Sequence, residues 1–149
     1  MLLNLLVGIP VMLLCLALQA YFVAICLKYF VRYKLLAQEH DSPVHSAVHL
    51  GVVMLLMLLG NFAQMAIWAA LFHLLGEFDD FATALYHSGV NFATLGYGDM
   101  VMTPAWRLLG PLEAANGILM FGVSTAVMTA SVSEIIKQHM ARVRKHTDD

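Results

Sequence analysis

The chain predicts an all-α membrane protein: three transmembrane helices, with a short re-entrant helix and loop between the second and the third. Two observations carry the membrane-spanning part of that reading. Of 149 residues, 60% are hydrophobic and 12% charged, about half the charged share of an ordinary soluble domain. Three apolar stretches, roughly 2–27, 47–75 and 112–136, are each long enough to cross a hydrocarbon core of about 30 Å, which takes about 20 helical residues. The lipid bilayer is therefore the expected surroundings. With a net charge of −2, no nucleic acid partner is expected.

Residues 1–27 read as a peripheral transmembrane helix, in which Gly8 and Pro10 bend the outer end or leave its first turn frayed. Ala17-Leu18-Gln19-Ala20 has the small-residue character of a signal cleavage site. No basic residue precedes the run, however, and a basic cluster follows it, so the helix is expected to be retained. Cys15 and Cys26 stand about 16 Å apart along a helix, too far to bridge, and read as buried thiols. Residues 28–46 form a loop. Of the eight Lys and Arg, Lys28, Arg32 and Lys34 lie in that loop, Lys137, Arg142, Arg144 and Lys145 lie in a short tail at 137–149, and only Arg107 lies on the other side. By the positive-inside rule the N-terminus is outside, and the loop and C-terminal tail are cytoplasmic.

Residues 78–92 read as the short helix that enters the membrane and returns. Asp79 or Asp80 caps its start, and its partially negative end near Ala93 points toward the membrane centre. Further on, Thr103-Pro104 is a helix-start pair, and Gly110-Pro111 predicts a kink because Pro111 clashes with the carbonyl four residues back.

Between these lies Thr94-Leu95-Gly96-Tyr97-Gly98-Asp99. Its two glycines can take backbone angles that a Cβ disfavours, so successive carbonyls can face one axis. The hexapeptide resembles the TVGYG loop of potassium channels, whose carbonyl oxygens replace the ion's hydration shell. On that motif, and on the helix, loop, helix order around it, the chain looks like a member of the tetrameric potassium-channel pore-domain family, with the pore domain over 47–136. The resemblance implies that Thr94, Leu95, Gly96 and Tyr97 offer backbone oxygens to K+, that the Thr94 hydroxyl adds the innermost ring, and that Gly98 completes the filter. Since the chain has one such loop and no internal repeat, a homotetramer is implied. Passive flow of K+ across the plasma membrane is implied too, with no catalysis and no cofactor beyond the permeant ion.

The run from Gly117 to Ala126 resembles the family's pore-lining helix, including the glycine at which members bend. Gly117 is read either as that hinge or as a close-packing site. Ile118, Phe121, Thr125 and Thr129 share a helical face assigned to the cavity and gate. Gly122, Ala126 and Ala130 recur every four residues, a close-packing pattern. Many bacterial relatives place a Glu where this chain has Val90, and that Glu pairs with the Asp after the filter. Here Tyr86 is the expected partner of Asp99, as filter support, and little slow inactivation is expected.

Polar groups within the spans need partners. Asn61, Gln64 and Asn116 are expected to bond between helices; Glu113 either bonds behind the filter or reaches the outer surface near Arg107. Glu77, Asp79, Asp80 and Asp99 would raise local cation concentration at the outer mouth, although a cap and a solvated loop account for Glu77 and Asp79. His40, His45 and His49, the last two spaced to share a helical face, are read as interfacial, with metal or proton sensing as the sharper alternative. No helix carries Arg or Lys at every third position, so gating charge of that kind is not expected. The rival to a conducting channel is a regulatory or co-assembling subunit that does not conduct alone; a membrane enzyme or metal carrier built on the histidines is a weaker third.

Overall fold

The structure, a computed structural model, describes residues 1–36 and 43–148. Four helices follow in order: α1 (Leu2–Leu36), α2 (Pro43–Leu74), α3 (Phe81–Phe92) and α4 (Leu109–Asp148). Three contain segments long and apolar enough to cross a membrane: Leu2–Arg32, Val44–Leu74 and Leu109–Lys137. Many of their large apolar side chains are exposed, among them Leu13, Leu55 and Leu58, as expected where lipid replaces water. The short α3 packs against α2 and α4, while α1 packs against α2 and α4 without reaching α3.

Helix ends depart from the sequence reading. The expected loop over 28–46 is largely helical, because Leu27 to Leu36 holds neither Gly nor Pro to stop α1, and Pro43 opens α2 at a position where its missing N–H costs nothing. The residues after 136 likewise continue α4 to Asp148. Pro111 does not kink a helix. It sits in the first turn of α4, and the Thr103-Pro104 pair instead opens a separate turn in which Trp106 N–H and Arg107 N–H donate to Thr103 O at 3.1 and 3.0 Å.

Pro10 lies inside a continuous α1, and Gly8 serves close approach rather than a bend. A Cβ on Gly8 would lie 2.7 Å from Leu112 Cδ1 and 3.1 Å from Leu109 Cδ2. Beside it, Asn4 Nδ2 donates to Ala105 O at 2.8 Å. The N-terminal end of α1 is thus fastened to the start of α4 and the turn before it. Gly122, Ala126 and Ala130 are all exposed, and a Cβ on Gly122 would meet open space among the described residues.

A buried polar network joins the three long helices. Gln64 Nε2 of α2 donates to Gln19 Oε1 of α1 at 2.7 Å, and Gln19 Nε2 donates to Ser124 Oγ of α4 at 3.2 Å. Asn61 Nδ2 reaches the same Ser124 oxygen at 3.3 Å, and Asn116 Nδ2 approaches Gln64 Oε1 at 3.5 Å. Asn61, Gln64 and Asn116 therefore bond between helices as expected. Gln19 was not foreseen as their partner. Replacing Gln19 with Leu removes partners from Gln64 and Ser124 at once, and it is expected to lower stability by about 1–3 kcal/mol, the cost of a stranded buried polar group, readable as a lower melting temperature in detergent.

The described histidines differ in their surroundings. His45 is exposed, whereas His49 is buried and stacked on Tyr29 at 5.2 Å and 12°. They do not form a shared ligand face, and no group of three His, Cys, Asp or Glu suited to a metal occurs among the described residues. His40 lies outside them.

Candidate functional site: the Thr94–Asp99 loop

Short-range chemistry positions the loop. Asp80, not Asp79, caps α3: Thr83 N–H donates to its Oδ1 at 2.8 Å and the Thr83 hydroxyl to its Oδ2 at 2.6 Å. These bonds hold the Asp80 carboxyl below the usual carboxylate range. At the other end of α3, Thr94 N–H donates to Asn91 O at 2.9 Å and Leu95 N–H to Val90 O at 2.8 Å. That pair of bonds is a Schellman cap, which puts its outer residue in the left-handed region and usually selects glycine there. Here the residue is Thr94, at φ 58°. A β-branched residue at such an angle is strained, and the sequence reading credited left-handed angles only to the glycines.

Positive φ then recurs on every second residue, at Gly96 (57°) and Gly98 (73°), and not at Leu95 or Tyr97. Alternation of hand along a backbone sets successive N–H groups on one side and successive carbonyls on the other. Leu95 and Tyr97 are 54% and 66% exposed. An open groove of about 770 Å³ runs between the loop, α3 and the start of α4, lined among others by Asn91, Thr94, Met102 and Gly110.

The far end of the loop is tied to α3. Tyr86 Oη donates to Asp99 Oδ2 at 2.6 Å, and Met100 N–H donates to Asp99 Oδ1 at 3.0 Å. Tyr86 and Asp99 are thus the pair the sequence reading named. The Tyr86 phenol is the main reason that the Asp99 carboxyl sits below its ordinary range. The contact is therefore charge-assisted at neutral pH and is lost only as pH falls through that lowered value. Glu77 caps Thr103 rather than lying free or capping α3: Thr103 N–H and the Thr103 hydroxyl donate to its two oxygens, each at 2.6 Å. Behind the loop, His87 is buried against Phe72 (5.6 Å) and Phe78 (4.7 Å) and bonds Asn91 Nδ2 at 2.8 Å.

Further along α4, the residues assigned to cavity and gate divide into two groups. Ile118, Phe121, Thr125 and Thr129 are all exposed along one side of α4, and Phe121 also meets the Phe92 ring edge-on at 5.6 Å. Gly117 is buried on another side. A Cβ there would fall 2.0 Å from Phe92 O and 2.8 Å from Phe92 C, so this glycine admits the backbone of α3 and is not part of the open face. Glu113, one turn earlier, is fully buried and contacts Ser88 Oγ. It faces α3 rather than Arg107 and the outer surface.

Residues 62–134 match the profile of a family described as Ion channel, and this match supports an ion-channel pore-domain family. The matched segment contains the end of α2, α3, the loop and α4 as far as Glu134. No curated protein and no solved structure matches the chain.

Proposed function

We propose that the chain is a subunit of a potassium-selective channel, a homotetramer in the plasma membrane with its N-terminus outside and its C-terminus inside. The observation that carries this reading is the alternation of left-handed residues at Thr94, Gly96 and Gly98, an alternation that would turn successive carbonyl oxygens to one face. Four copies around an axis would surround a dehydrated K+ with rings from Thr94, Leu95, Gly96 and Tyr97. A single loop cannot enclose an ion, so the assembly is part of the function. Ile118, Phe121, Thr125 and Thr129 would then face the water-filled cavity, and Asp99 with its neighbouring acids would concentrate cations at the mouth.

Potassium flux into liposomes containing only the purified chain tests this. Selective uptake of K+ over Na+ is expected, and no flux would favour a co-assembling subunit that does not conduct alone. Cross-linking and native mass measurement are expected to give four subunits, and a dimer as the largest functional unit would refute the ring. Tyr86→Phe removes the exposed bond to Asp99. Insertion and assembly are expected to survive it, while the time course of the current, sustained in the wild type, changes. Superimposable currents from the two proteins would refute a bracing role for Tyr86.

A further inference from the structure

Ser88 on α3 stands between two acceptors and has one proton. Its Oγ lies 2.8 Å from the Met65 carbonyl of α2 and also contacts Glu113 Oε1 of α4. A carbonyl has no proton to offer, so the Ser88 hydroxyl is the donor toward Met65. The Glu113 contact then needs a proton of its own, because a carboxylate oxygen facing a hydroxyl lone pair is repelled. The surroundings point the same way. Glu113 is fully buried, its Oε2 has no hydrogen-bond partner, and the polar groups that bear on it are Ser88 and Asn91 from α3 and the Cys15 thiol from α1. Neither Lys nor Arg is among them. An ionised carboxylate in that setting would be left uncompensated.

We propose that Glu113 is a neutral carboxylic acid that donates its proton to Ser88 Oγ, a positioning residue that latches α4 to the short helix carrying the filter. Its purpose rests on the channel reading above; its chemistry does not. Glu113 and Gly117 are four residues apart on α4, and their contacts Ser88 and Phe92 are four apart on α3. The two helices are therefore joined twice, one turn apart, in parallel register. One joint is a hydrogen bond and the other is a glycine against a backbone carbonyl. A neutral acid joins the helices without placing a fixed charge behind the ion path, so the field at the ion is left to the carbonyls.

Infrared spectroscopy on the purified chain in lipid vesicles at neutral pH tests this. The difference between wild type and Glu113→Gln is expected to contain the carbonyl band of a protonated carboxylic acid. Ser88→Ala is expected to shift that band toward the position of an acid without an acceptor. Gln still offers an N–H to Ser88, so Glu113→Gln is expected to keep wild-type K+ flux. A carboxylate signature in the difference spectrum overturns the proposal, as does lost flux from fully assembled Glu113→Gln. Should Glu113→Gln fail to assemble, Ser88→Ala decides, since an unshifted acid band overturns the proposed bond. The spectrum requires no conduction, so a wild type with the acid band and no K+ flux refutes the channel reading while supporting the latch.

Discussion

Gly117→Ala is expected to be the most damaging single-methyl change in the chain. The added carbon would lie 2.0 Å from Phe92 O and 3.1 Å from Phe92 Cα. These are backbone atoms at the end of α3 and cannot rotate away as a side-chain tip can. Either α3 or α4 must move, and overpacking of this kind costs about 1–3 kcal/mol, occasionally more. The displaced atoms belong to the residue two before Thr94, so the loop moves with them. Loss of both assembly and flux is expected, read by native mass measurement and by liposome uptake. A hinge predicts something different: an alanine there would assemble normally and shift only the balance between open and closed. Normal assembly with altered open probability would therefore refute the packing assignment.

Gly96→Ala and Gly98→Ala are expected to act by another route. A Cβ at either position meets no atom of its own chain within 4 Å, yet the backbone is at φ 57° and 73°. The cost is thus conformational, about 1–3 kcal/mol for each residue held in a poorly populated region. The loop can relieve it by abandoning the left-handed angle, which turns a carbonyl away from its row. Insertion and helix content are expected to remain, and the preference for K+ over Na+ to be lost. Unchanged selectivity in liposome flux with either variant would refute the carbonyl-row reading.

How much of this was legible in the sequence depends on the range of the interaction. The three long helices were legible because hydropathy acts residue by residue, and the loop because two glycines flank an aromatic residue. Helix ends were less so. Residues 28–36 look like a loop by charge, but Lys and Arg are good helix formers, and α1 continues through them. Glu77 was read as a cap or a solvated residue, when its partner is Thr103, 26 residues on. Gln19 was hidden in plain sight. Within Ala17-Leu18-Gln19-Ala20 it resembled part of a cleavage site, although a lone amide deep in an apolar run already signals a buried partner. The choice at Gly117 between hinge and close approach turned on what faced it, and only the fold supplies Phe92.

The Schellman cap at Thr94 makes the end of one element the beginning of another. The amides of Thr94 and Leu95 belong to the loop by position and to α3 by hydrogen bonding. Loosening the inner end of the loop therefore requires the last turn of α3 to unwind, and fraying that turn releases the loop. The two constitute one cooperative unit of local unfolding. In deuterium exchange the amides of Thr94 and Leu95 would be labelled together with the end of the helix, and not with the exposed residues of the loop that follow them.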